Sequence, residues 1–201
     1  MTDDASLPPL VYWGDDALMA AQPAVTAEDL AAADWSARLE ILAAAMDHYG
    51  GIGIAAPQIG WAARVFCYGI ADGNPRYPDA GDLQFRYWIN PRVVASRGTN
   101  WAWEGCLSVP GLRGWIGRPA EVDVVGQDET GAVQEQSLTG WAARVFQHEL
   151  DHLDGVLMPR RVVDPVYVMS DALMAEQAGW RTDWPSPGAY ASGSGELCDV
   201  R

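Results

Sequence analysis

The sequence predicts an α+β fold: mostly antiparallel strands around a central helix that carries two histidines, with a second long helix near the N-terminus. Three observations carry this. Short β-rich runs bounded by turn residues fill the middle of the chain without alternating with helices, which suits antiparallel sheets rather than βαβ units. The stretch QHELDHLDG, residues 147–155, sets His148 and His152 four apart in a segment that ends at Gly155. The stretch TAEDLAAADWSARLEILAAAMDHYGG, residues 26–51, opens with Thr26 and Asp29 at capping-box spacing and closes on Gly50-Gly51.

Taken in order, residues 1–25 mix proline, aspartate and apolar residues and read as an irregular arm laid over the core. The first helix follows, with Leu30, Leu39, Ile41, Leu42 and Met46 as its apolar positions. Residues 64–70 (RVFCYGI) are rich in β-formers and read as a strand. Residues 72–86 form a polar loop, and 87–95 (YWINPRVVA) a strand that Pro91 makes an edge or a broken one. Residues 121–126 alternate cleanly, Asp128-Glu129-Thr130-Gly131 makes a turn, and 132–138 returns as a hairpin. A second helix spans about 140–153, and a third is expected over 164–178. The Ser-, Gly- and Pro-rich end, residues 181–201, reads as a flexible tail behind one catalytic domain over 1–180.

With 201 residues, 49% of them hydrophobic, the chain has material for one such core. No run of 18 apolar residues predicts a membrane span, and the acidic start MTDD disfavours a signal peptide. Three widely spaced cysteines, Cys67, Cys106 and Cys198, do not form a disulfide framework and point to a reducing cytoplasm. A net charge of −14 argues against DNA and anionic membranes as partners, because both select basic patches.

On a helix, His148 and His152 project from one face one turn apart, placed for a single ion, with Glu149 beside them as a base. Trp141 and Val145 continue that stripe as a pocket wall. The third ligand is open from spacing alone. Asp171 and Glu176 lie downstream, while Cys106 in WEGCLSVP, residues 103–110, offers a thiolate. Cys67, between Phe66 and Tyr68, reads as a buried apolar residue. The stretch GIGIAAPQ, residues 51–58, offers small residues for close backbone approach and an amide donor in Gln58.

GIGIAAPQ, EGCLS and QHELDH, in this order, resemble the three signature motifs of the peptide deformylases, and the likeness runs over roughly residues 8–165. It implies that Cys106, His148 and His152 bind one divalent ion, natively iron(II), with zinc, nickel or cobalt also accepted. It implies Glu149 as general base and acid, and Gln58 and the Leu107 N–H as oxyanion donors. Ile52, Gly53 and Gly105 would meet the substrate as extended backbone, with Arg113, Trp141 and Val145 near it. The implied substrate is the formyl-methionine end of a newly made polypeptide, met by a cytoplasmic monomer in transient association with the ribosome. Three other readings compete: an HExxH peptidase using Glu176, a structural metal domain, and a relative acting on another N-acyl amine. The roles of Trp101 and Trp103 (pocket narrowing or roof) and of Arg144 (substrate or solvent) are left open by the residues.

Overall fold

A computed structural model describes residues 7–70, 83–176 and 190–192. The arm 7–25 is irregular apart from one 3₁₀ turn, Asp16–Leu18, and is tied down along its length. Val11 N–H donates to the Gln58 carbonyl, Trp13 N–H to that of Ser108, and Gln22 N–H to that of Leu153.

The expected first helix is two helices, α1 (Ala27–Leu30) and α2 (Trp35–His48). The Thr26–Asp29 capping box forms as expected, but only one turn follows it. The break has a tertiary cause. Leu30 packs on Gly131, and the Trp35 indole donates to the Glu129 carbonyl, both in one turn. Five residues of continuous helix would rotate those side chains about 140° apart. Leu39, Leu42 and Met46 are buried as expected; Ile41 is exposed.

Among the described residues nine strands follow: β1 (Gly53–Ala55), β2 (Val65–Ile70), β3 (Leu83–Arg97), β4 (Asn100–Cys106), β5 (Val109–Arg118), β6 (Glu121–Gln127), β7 (Val133–Thr139), and, after helix α3 (Gly140–Leu153), β8 (Val168–Ser170) and β9 (Tyr190–Ser192). Short helix α4 (Asp171–Ala175) lies between the last two. One sheet has the order β1-β2-β3-β6-β7 and the other β8-β5-β4-β9, with every pairing antiparallel.

β3 is not an edge strand: β2 and β6 flank it. Its proline is tolerated because the register to β6 shifts between Ile89 and Arg92, so the missing N–H falls in a bulge. Asn90 takes φ 50° there, and its amide closes on both backbone groups of Val25, clamping the arm. The expected helix over 164–178 is, as far as residue 176, a 3₁₀ turn, Pro165–Tyr167, then β8 and α4, and residues 177–178 lie outside the described ones; Pro165 and the β-branched Val166 and Val168 oppose a continuous helix. Of the expected loop 72–86, residues 83–86 already belong to β3, and the rest lies outside the described residues. Of the tail, Tyr190–Ser192 pairs with β4, and the remainder also lies outside them.

Helix α3 lies on the five-stranded sheet. Phe146 and Leu153, both fully buried, join Phe66, Tyr68, Trp88 and Val124 in one apolar cluster. Two aromatic edges, from Phe66 and Trp88, meet the Phe146 ring. Packing of this kind fixes the helix rotation, and with it the direction of the face opposite. Among the described residues no helix is long and apolar enough to cross a membrane.

Candidate active site

Three elements converge on one cleft of about 260 Å³: β1 with the 3₁₀ turn Ala56–Ile59, the β4–β5 hairpin, and α3. α3 contributes His148, Glu149 and, one turn on, His152 from its last two turns. The hairpin contributes Cys106 at its tip, where the β4–β5 register shifts between Gly105 and Cys106.

The donor atoms of Cys106, His148 and His152 lie within 4.8 Å of one another, with Cys106 Sγ 3.3 Å from His152 Nε2. Glu176 takes no part: it is exposed at the C-terminal cap of α4, so the reading that made it a ligand is overturned. Asp171, the other downstream carboxylate, lies at the cleft rim and not in this cluster.

His148 Nδ1 is engaged by Glu104 Oε2 at 3.0 Å, which leaves Nε2 for an ion. Glu104 itself is buried and is held bidentately by Arg118, at 2.7 and 2.9 Å, and again by Arg144. Arg118 reaches on to Asp151 at 2.8 Å, one residue before His152. Arg144, 2% exposed, also donates to the Asn100 and Ile116 carbonyls, so it is turned away from bulk solvent although it lines the cleft. This buried network, Glu104 above all, escapes sequence reasoning because its contacts join residues 14 to 44 apart with no periodicity. The one signal was Glu104 itself, the one charged residue of its strand.

The electrostatics follow from that crowding. Burial would raise the Cys106 thiol, yet His152 and His148 hold it down to about 5. Burial likewise opposes charge on His148, but Cys106 and Glu104 hold its imidazole well above the usual range. For Glu149, burial pushes the carboxyl up to about 7 against the pull of both histidines. A carboxyl poised there exchanges protons readily near neutrality.

Gln58 is 2% exposed; its Oε1 accepts from Ala55 N–H at 2.8 Å, which turns Nε2 toward Ser108 Oγ at 3.1 Å and the Cys106 side of the cleft. Gly53 faces Glu149 so closely that a Cβ there would meet its carboxyl carbon at 2.9 Å. Gln58, Ile52, Gly53, Gly105, Leu107, Arg113, Trp141 and Val145 all line the cleft. Trp103 lines it too, its ring packed on Trp115 with Met169 behind, as a roof would be; Trp101 packs against that cluster.

A family model described as polypeptide deformylase matches residues 7–166. The chain belongs to the peptide deformylase family. It is 39% identical over 157 residues to peptide deformylase 1 of Nitrosomonas europaea, covering 78% of this chain and 88% of that one. It is 40% identical over 155 residues to peptide deformylase 2 of a Nostoc species, covering 77% and 85%. Among solved structures, a class I type b peptide deformylase of Acinetobacter baumannii with Met-Ala-Ser bound superposes with a TM-score of 0.74 at 34% identity, over 78% of this chain and 98% of that one. The Thermotoga maritima peptide deformylase gives 0.68 at 34% identity, over 79% and 99%.

This deformylase is therefore a hydrolase of protein biosynthesis that removes the N-formyl group from nascent polypeptides. The family is metal-dependent, and the residues fit such an ion. One thiolate and two imidazoles suit a borderline divalent cation. His152 Nδ1 and Glu149 Oε2, both buried, have no protein partner among the described residues, so the site holds more polar capacity than the protein satisfies.

Proposed function

We propose that Cys106, His148 and His152 hold one divalent ion, that Glu149 is the general base and acid, and that Gln58 and the Leu107 N–H receive the charge that develops on the formyl oxygen. The observation that carries this is the clustering of a thiol and two imidazoles beside a buried, partnerless Glu149 oxygen. When bound, the ion would act as a Lewis acid toward the formyl oxygen and the attacking water. Iron(II) is the resident ion in this reading, and zinc, nickel or cobalt can take its place, since the donor set excludes none of them.

Glu149 accepts the proton of the attacking water and then gives it to the amine as the C–N bond breaks, so that formate and a free N-terminus leave. Its position at the foot of the cleft, raised to about 7, suits both halves of that transfer. The Gln58 amide is fixed by Ala55 before substrate arrives, and such preorganised donors lose nothing to reorientation during reaction.

β1 is an edge strand, paired on one side with β2, and the Ile52 carbonyl is already taken by Gly69 N–H. The open edge offers its backbone to an extended peptide, which would add as a further strand beside Ile52 and Gly53 with Gly105 opposite. Trp141 and Val145 wall the space for the methionine side chain, and Arg113 stands at the rim. The Met-Ala-Ser bound to the Acinetobacter relative has the chemistry of a deformylated product and supports a methionine-led peptide as the substrate class. The same reading makes the enzyme a cytoplasmic monomer, one catalytic domain over 1–180, that meets nascent chains in transient association with the ribosome.

The test is formate release from a formyl-methionyl peptide by anaerobically purified, iron-loaded protein. Glu149→Gln is expected to keep its metal and lose release; Cys106→Ala is expected to lose the metal itself. A Glu149→Gln protein that releases formate at the wild-type rate would overturn the assignment of the base.

A further inference from the structure

The stretch matched to the family ends at residue 166, yet the chain beyond it returns to the cleft. β8 adds to the edge of β5 in a register that pairs Leu112 with Ser170, Arg113 with Met169 and Gly114 with Val168. Met169 is 4% exposed and anchors the strand under Trp103 and Trp115. That register sets Asp171, the first residue of α4, beside the Arg113 side chain, and Arg113 Nε donates to Asp171 Oδ1 at 2.5 Å.

The pair closes one end of the substrate cleft. The Arg113 guanidinium lies over Gly105, where a Cβ would meet Nη1 at 2.6 Å and oblige the guanidinium to shift. The other charged lining groups are engaged in the interior: Glu104 and Arg144 with each other, His148 and Glu149 at the reacting centre. Among the described residues, Arg113 and Asp171 are thus the charged side chains at the rim, the first 19% exposed and the second 47%. A carboxylate engaged through one oxygen retains acceptor capacity for a cation.

Resting on the reading of this cleft as the peptide site, we propose that Asp171 is a specificity-determining residue for the formylated peptide. Its carboxylate compensates the charge of Arg113, so the peptide position that reaches the rim disfavours acidic side chains and accepts basic ones. Without Asp171 the same rim would carry a bare guanidinium and draw acidic residues instead. The device belongs to the chain's own carboxy-terminal segment, beyond the family-matched part.

The experiment compares metal-loaded wild type, Asp171→Asn and Asp171→Glu on three amidated peptides, formyl-Met-Ala-Ser, formyl-Met-Ala-Glu and formyl-Met-Ala-Lys. In Asp171→Asn the ratio of kcat/KM for the Glu peptide to that for the Lys peptide is expected to rise about fivefold, the scale of one exposed charge pair. The change should sit in KM, shrink with added salt, and be reversed by Asp171→Glu. An unchanged ratio would overturn the proposal, as would an equal loss on all three peptides, which is what mere structural support predicts. Wild type that leaves the serine peptide formylated would overturn both this proposal and the reading beneath it.

Discussion

Glu104 Oε2 stands 3.0 Å from His148 Nδ1 while both oxygens of the same carboxylate are bound by Arg118. The histidine is therefore aimed by a group that is itself immobilised, and its Nε2 is left available for an ion. Glu104→Gln keeps the shape but removes the charge that orients the ring. Weaker metal binding by about 10- to 100-fold is expected, measured by competition with a chelator of known affinity. An unchanged affinity would show that helix packing alone orients His148.

What the sequence made legible divides along physical lines. α3, β2, β6 and β7 follow from periodicity and turn chemistry, which are local and leave a trace in neighbouring residues. So do the ligands His148 and His152, one helical turn apart. The third ligand was not local: Cys106 and the rival Glu176 could be told apart only through family resemblance, and then by geometry. Arg118 and Asp151 left no trace, and Glu104 only its own charge within a strand, because an ion network across two strands and a helix has no spacing rule. The break between α1 and α2 was hidden for a related reason. Ala31, Ala32 and Ala33 favour helix by themselves, and the contacts of Leu30 and Trp35 with the distant β6–β7 turn override them.

Gly53 is the position where backbone and base meet. A Cβ there would lie 2.9 Å from the Glu149 carboxyl carbon and nearer still to Oε1, so Gly53→Ala must push the base aside. Displacement of a reacting group by about 1 Å costs on the order of a hundredfold in rate. The expected result is a kcat lowered to about that extent with metal content retained, read from formate release beside metal analysis. A variant of wild-type kcat would mean that Glu149 can work from a second rotamer.

Cys106 and Cys67 should differ sharply toward an alkylating reagent. Cys67 is fully buried in β2, where burial raises its thiol well above the usual range and no reagent reaches it. Cys106 lines the cleft beside two imidazoles. Iodoacetamide is expected to modify Cys106 in metal-stripped protein and to spare it when the ion is restored, with Cys67 untouched in both. Peptide mass mapping separates these two sites. Equal labelling of Cys106 with and without metal would remove it from the ligand set.

Arg118 tests how far the fold depends on the network behind the site. Its side chain is 4% exposed and bridges Glu104 and Asp151, so it ties β4 to α3 directly beneath both histidines. Arg118→Leu leaves Glu104 with Arg144 as its one guanidinium partner beside His148, and Asp151 to the half-exposed Arg161. Removing one partner from a buried pair costs about 3–5 kcal/mol, because the charge left behind is no longer compensated. Arg118→Lys keeps the charge but cannot hold Glu104 bidentately, and is expected to fall between the two. Urea unfolding of the metal-stripped proteins reads this order without any contribution from metal binding. Equal stability of Arg118→Leu and wild type would show that the network aims the histidines but does not hold the fold.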